Sequence, residues 1–275
     1  MTARTVELLQ GLLARQVVPL IAAPMTGVSG PDLVIACCRA GIMGSFPTTN
    51  ASPEVLGHWL SAIDDARDPD RDAAYAVNLP LRLAGDRLVD DLSAVCASRA
   101  DAIIVSVGGP GAIVGPAHDV GKAVIAVVAT LHHARRAIAT GCDGLVLLSA
   151  GAGGFTGWMN PFAFVRTVRA ETDLPLVLAG GITDRASLDA ALVLGCDAAY
   201  LGTPLIASAE GLAGDGYRQA VVAAGIDDVD LRLMPNGLRS NGTGDGDEFH
   251  SMGHSAHRVR AVRPAAGIVN DFLAG

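Results

Sequence analysis

The sequence predicts a closed eight-stranded (β/α)8 barrel with a short C-terminal loop and helix extension. Three observations predict it. Eight short apolar runs recur between residues 17 and 203, Ala-rich amphipathic stretches separate them, and the densest glycine signals follow the sixth, seventh and eighth runs. Strands that are apolar almost throughout are buried on both faces, as in a parallel sheet covered by helices. Eight such units favour closure over an open doubly wound sheet. The open sheet would carry its Gly-rich phosphate loop after the first strand. Here that strand ends Ala23-Pro24-Met25-Thr26-Gly27 instead.

The predicted strands are 17–24, 42–46, 73–79, 101–107, 122–128, 143–150, 175–181 and 197–203. Helix-like segments between them include 30–40, 52–67, 85–98, 131–140, 161–171 and 184–194. One domain is expected over 1–275, with the TIM-type barrel at about 17–206 and an extension at 207–275. Within the extension, 211–228 reads as helical and 264–274 as a closing helix. Residues 233–258, rich in Gly, Asn, Asp and His, read as loop, with 236–247 a surface excursion.

Bulk composition narrows the function classes. Half of the 275 residues are hydrophobic, enough for a large core, and the net charge is −8. An acidic chain without a Lys/Arg cluster is a poor match for nucleic acid. The five cysteines form no CxxC pair, which reads as buried, reduced thiols. Cys37 and Cys38 sit side by side in a predicted helix, poor geometry for a disulfide. The N-terminal stretch lacks the pattern of a signal peptide, and no apolar run reaches the ~18 residues of a membrane span. A cytoplasmic protein with no membrane partner is expected.

Five motifs stand at predicted strand ends, where barrels carry their chemistry. Ala23-Pro24-Met25 couples a rigid Pro to a side chain able to lie against a planar ring. Asn78 offers donor and acceptor together, either to a turn or to the edge of a bound ring. From Ser149 through Ala150 and Gly151 to Gly157, four glycines in the seven positions 151–157 let backbone approach a ligand. Gly180-Gly181 opens a helix, so free N–H groups point at a bound phosphate. Gly202-Thr203 after the eighth strand could complete that cradle.

With these motifs in place, the chain resembles the nitronate monooxygenase (2-nitropropane dioxygenase) family. The matching stretches are PLIAAPMTGVSGPDL, AVNLP, KAVIAVVATLHHARRAIATGCDGLVL, AGAGGFTGW, PLVLAGGI and YLGT, with SMGHS as a late element. The same group includes flavin-dependent enoyl-ACP reductases and quinone reductases. The resemblance implies FMN, with its phosphate at Gly180, Gly181, Gly202 and Thr203 and its ring at Ala23, Met25 and Asn78. It also implies that Lys122 lies near the cofactor, although a strand-start lysine is equally suited to solvent. Family members carry a histidine straight after the Gly-Gly of strand six, where this chain has Phe155. Phenylalanine cannot accept a proton, and losing a positioned base costs ~10²–10⁴ in rate. His254 in SMGHS is the leading substitute and His133, after strand five, the next. His250, His254 and His257 lack a fourth ligand, so no metal is expected.

The expected function is an FMN oxidoreductase that oxidises a small nitronate or related anion with dioxygen. The alternatives are an NAD(P)H-dependent enoyl or quinone reductase, an FMN-binding lyase, isomerase or dehydratase, and a flavin-free phosphosugar barrel. Expected partners are a small-molecule substrate, dioxygen or reduced nicotinamide, and a second copy of the chain.

Overall fold

The computed structural model describes residues 3–234 and 237–273. Its strands are β1 (Leu20–Ala22), β2 (Gly44–Pro47), β3 (Tyr75–Pro80), β4 (Ala102–Ser106), β5 (Ala123–Val128), β6 (Gly144–Leu148), β7 (Gly154–Phe155), β8 (Leu176–Ala179), β9 (Ala198–Leu201), β10 (Asp230–Leu233), β11 (Arg239–Thr243) and β12 (His250–Ser251). Its helices are α1 (Ala3–Ala14), α2 (Pro31–Arg39), α3 (Pro53–Ala66), α4 (Leu81–Ala84), α5 (Leu88–Ala97), α6 (Gly111–Asp119), α7 (Leu131–Ala139), α8 (Pro161–Arg169), α9 (Arg185–Leu194), α10 (Thr203–Ile206), α11 (Asp215–Ala223) and α12 (Ala265–Asn270).

Eight strands form a parallel sheet in the order β1-β9-β8-β6-β5-β4-β3-β2. A parallel bridge between Ile21 and Met43 joins its two edges, with Ala22 N–H donating to the Met43 carbonyl at 2.8 Å. The barrel therefore closes, and the eight-unit pattern read in the sequence is the pattern of its wall. Local chemistry starts the helices. Proline stands in the first turn of α2, α3 and α8, where its missing N–H costs nothing. Ser52, Thr130, Asn160 and Asp184 cap α3, α7, α8 and α9 with side-chain oxygens.

Alternation along each strand divides the core in two. Ile103, Val105, Leu145, Leu147, Leu176 and Leu178 face the helices. Ile21, Ala76, Ala102, Ile104, Ala123, Ile125, Val146, Val177 and Ala198 fill the lumen. Leu9 and Leu13 of α1 belong to this second cluster and stopper the strand N-termini. A Cβ on Gly144 would lie 2.4 Å from the Leu9 side chain, so that glycine admits the helix. With the lower end closed, the open end lies at the strand C-termini. No helix among the described residues is long and apolar enough to cross a membrane.

The loop expectation for 233–258 is corrected. Strands β10, β11 and β12 form an antiparallel sheet, and β7 joins it through Ser240 opposite Phe155 and Asn241 opposite Gly154. Ser240 and Asn241 are buried, so this part of the presumed surface excursion is an interior strand. Pro235 and Asn236, within the same reading, lie outside the described residues. Asn241 Nδ2 fastens the sheet to the loop after β6 by donating to the Ala152 carbonyl at 2.8 Å, a contact 89 residues away in sequence. The helical readings at 211–228 and 264–274 correspond to α11 and α12, residue 274 lying outside the described range.

Candidate functional site

The strand C-termini open into a cavity of about 1180 Å³. Ala23, Pro24, Met25 and Thr26 form the wall beyond β1. Gly27 turns the chain at φ +69°, a region that suits glycine. Asn50, just past β2, holds this turn. Its Nδ2 donates to the Met25 and Ser29 carbonyls at 2.9 and 2.8 Å, and its Oδ1 accepts from Gly27 N–H at 2.9 Å. No local pattern marks Asn50, because its contacts exist only after the barrel closes.

Asn78 reaches the cavity from β3 and is 4% exposed. Its Nδ2 donates to the Ile104 carbonyl at 3.0 Å and the Ser106 hydroxyl at 2.9 Å, both on β4. The amide is thus fixed by the neighbouring strand, and Oδ1 keeps acceptor capacity.

The two glycines after β8 have φ values of +123° and +73°. A Cβ on Gly180 would fall 2.6 Å from Ser149 Oγ, whereas one on Gly181 would stand in open space. The N–H groups of Gly181 and Ile182 have no partner in the described chain. Asp184 then caps α9, accepting from Ser187 N–H at 3.0 Å while Ser187 Oγ accepts from the Thr183 and Asp184 N–H groups. The backbone hydrogen bond from Ser187, with help from Arg258 at 3.1 Å, holds the Asp184 carboxyl below its ordinary range. Gly202 and Thr203 stand beside this turn, and a Cβ on Gly202 would lie 3.6 Å from Met25 Sδ. The Thr203 hydroxyl accepts from Gly253 N–H at 2.8 Å, fastening the C-terminal segment to the same wall.

Ala23, Met25, Asn78, Gly151, Phe155, Gly180, Gly181, Gly202 and Thr203 all line the cavity, and His133 lines it from the exposed first turn of α7. Three expected residues do not. Lys122 is buried at the opposite end of its strand, where Nζ donates to the Ser98 and Ala100 carbonyls at 2.7 Å each. Residues 123–125 separate it from Ala126, where β5 first meets the cavity, ~13 Å of extended chain. Ala150 is exposed and outside the cavity wall. His254 packs its ring behind Gly151, with Nδ1 2.9 Å from where a Cβ there would stand, and does not line the cavity. The glycines after β6 also have a second role. A Cβ on Gly153 would lie 2.7 Å from Gly253 N, so the loop is glycine-rich partly to admit the C-terminal backbone. His250 lies against Tyr217, with ring centroids 5.0 Å apart, and the His257 ring meets the His254 carbonyl. Among the described residues no group of three or more His, Cys, Asp or Glu could hold a metal ion.

Tyr200 was not anticipated. It stands inward on β9 beside the cavity, its hydroxyl buried with no partner, and desolvation raises the phenol well above its ordinary value. A buried polar group left unsatisfied costs ~1–3 kcal/mol. The orphaned hydroxyl, the open space above Gly181 and the two free N–H groups fit a large ligand whose phosphate lies at Gly180–Gly181.

Comparison with known proteins gives the family and supports the fold. The family model described as "Nitronate monooxygenase" matches residues 61–242. A nitronate monooxygenase of Paraburkholderia phytofirmans is 30% identical over 246 residues, 74% of this chain and 67% of that protein. One from Pseudomonas aeruginosa is 30% identical over 245 residues, covering 74% and 70%. Among solved structures, FabK from Thermotoga maritima superposes with a TM-score of 0.87 over 99% of this chain and 96% of that one, at 23% identity. A nitroalkane oxidase from Streptomyces ansochromogenes gives 0.81 over 96% of each chain, at 19% identity. By the family match and these relatives, the chain belongs to the nitronate monooxygenase family of flavin-dependent oxidoreductases.

Proposed function

We propose that the cofactor is FMN and that the enzyme oxidises a small nitronate or related anion, with dioxygen as the electron acceptor. The observation that carries this reading is the glycine turn at Gly180 and Gly181 with unpartnered N–H groups, standing with Gly202 and Thr203 beside the Ala23–Met25 wall in a cavity that Asn78 also lines. When bound, FMN would supply the electron chemistry between substrate and dioxygen. The chain's own residues hold and orient. Gly181 and Ile182 N–H groups would bind the phosphate, and Met25 would lie against the ring. Asn78 Oδ1 would accept a hydrogen bond from the pyrimidine edge, and Tyr200 would donate its unpaired hydroxyl to the ligand.

Proton chemistry supports an anionic substrate. Among the described residues the cavity wall holds no Asp or Glu and its histidine is His133 at the exposed rim, and burial raises the phenols of Tyr200 and Tyr217. A site without a sheltered base suits a substrate that arrives already deprotonated. Phe155, where the family resemblance places histidine, would give an apolar wall there. The test is absorbance of the purified protein, followed by anaerobic addition of propyl nitronate and, separately, NADH and NADPH. A flavin band that bleaches with nitronate is the expected result. Bleaching by a nicotinamide alone moves the assignment to a reductase, and failure to bind FMN overturns the reading.

A further inference from the structure

We propose a second anion subsite on the side of the cavity opposite the glycine cradle, built by Arg82, Arg136 and the loop 107–111, that takes the phosphate group of an elongated substrate or cosubstrate. The proposal rests on the reading that the cradle after β8 and β9 takes the cofactor phosphate, which leaves the far side free for a second ligand.

Topology sets the two sites apart. In the closed order β1-β9-β8-β6-β5-β4-β3-β2, β4 stands diametrically across the ring from β9. Arg82 follows β3, the loop follows β4, and Arg136 belongs to the helix after β5. The cavity is not confined to the barrel mouth. Ala126 and Val128, which face outward from β5, line it together with Ala137 and Thr140 of the α7 region. It therefore continues into a cleft between α6 and α7, and its volume exceeds the ~300–1,000 Å³ of an ordinary small-molecule site.

Charge marks this cleft for an anion. The chain has 28 acidic and 20 basic residues, yet the described wall of the cavity contains no carboxylate and includes Arg82, Arg136 and Arg239. Arg239 lies over the Trp158 ring, 5.9 Å from its centroid. The Arg82 and Arg136 guanidinium groups have no hydrogen-bond or ion-pair partner among the described residues, unlike that of neighbouring Arg135, which holds Glu171. Unpaired guanidinium groups match phosphate oxygens in geometry as well as charge.

The loop between the two arginines is built tightly. Val107 has φ +52°, the sole positive value outside glycine among the described residues, and its carbonyl accepts from Arg82 N–H at 3.3 Å. A β-branched residue rarely adopts this region. A Cβ on Gly108 would lie 2.8 Å from Leu81 Cβ, and one on Gly111 would lie 3.5 Å from Thr140 Cγ2. The loop thus packs closely on Leu81 of α4 and touches Thr140 at the end of α7. Gly109 faces open space, and the N–H groups of Gly108 and Gly109 have no partner in the described chain. The exposed Arg82 and Arg136 guanidinium groups and these free N–H groups thus line the same outer part of an apolar-walled cavity. A phosphate ester or pyrophosphate on a chain long enough to reach the ring matches that arrangement.

The test is calorimetric titration of the flavin-loaded protein with inorganic pyrophosphate, in wild type and in Arg82→Gln/Arg136→Gln. FMN affinity of the apoprotein and far-UV circular dichroism are measured in parallel. The expected result is pyrophosphate binding that weakens about tenfold or more in the double variant, with FMN affinity unchanged. Competition of pyrophosphate by NADP⁺ or by coenzyme A then tells a nicotinamide cosubstrate from a thioester substrate. Equal pyrophosphate affinity in both proteins overturns the subsite, as does parallel loss of FMN and pyrophosphate, which would place the arginines at the cofactor. Arginine-dependent pyrophosphate binding by a protein that never takes up FMN would support the subsite while overturning the proposed function.

Discussion

Phe155 belongs to a two-residue strand, and its neighbours decide what it can do. Its backbone pairs with Ser240 and its residue lines the cavity, so the position is held firmly. Replacing Phe155 with His would place a base on a supported strand. We expect F155H to raise turnover of neutral nitroethane by ~10²-fold while changing that of the nitronate little. Oxygen consumption with each form of the substrate measures the ratio, and an unchanged ratio would remove Phe155 from the reacting site. Asp184 acts at the same scale. Its folded carboxyl value is depressed, chiefly by the Ser187 N–H, so its contribution is present above the unfolded value of ~3.9 and is lost as pH falls through the folded one. Asp184→Ala should cost about 1 kcal/mol at neutral pH, as loss of a helix cap does. The gap in thermal midpoint between the two proteins should close below about pH 4. A gap that persists in acid would show that the carboxylate charge contributes nothing.

Among the elements, the four-strand sheet of β7, β10, β11 and β12 changes the reading of the site most. Among the contacts that tie this segment to the barrel are Asn241 to the Ala152 carbonyl and Gly253 N–H to Thr203 Oγ1. The second joins a predicted cradle residue to a segment 50 residues further on. Thr203→Val keeps the shape and removes the acceptor, leaving a buried N–H unpaired at ~1–3 kcal/mol. We expect a lower unfolding midpoint, faster proteolysis within 207–258 and weaker FMN binding. Unaltered proteolysis would show that the C-terminal segment is held by other contacts. Alternation and turn residues made the barrel strands legible, because each is a short apolar run bounded by breakers. The added sheet was illegible for the opposite reason. Its strands DLRL, RSNGT and HS carry little apolar content, and their pairing depends on backbone brought from β7.

For the whole molecule, closure places every strand end at one mouth and lets α1 seal the other. The glycines after β6, β8 and β9 could be read as cavity-facing because glycine density at a helix start has a local physical meaning. Ala23, Met25 and Asn78 could be read at the same mouth because each ends a recognisable strand. Lys122 was misplaced because strand polarity matters as much as strand identity: a residue before a strand lies at the sealed end. His254 could not be placed from its motif, since Gly151 lies between its ring and the cavity.

By itself, the sequence determined the parallel barrel and the family, because periodicity and turn chemistry are local and repeat eight times. Tertiary structure alone decided that Asn50 holds the Met25 turn, that Tyr200 keeps an unpaired hydroxyl, and that Arg82 and Arg136 share one cleft. Each of these depends on which residues meet across the ring. Such meetings are set by closure and burial of the whole chain, and no short window of sequence contains them.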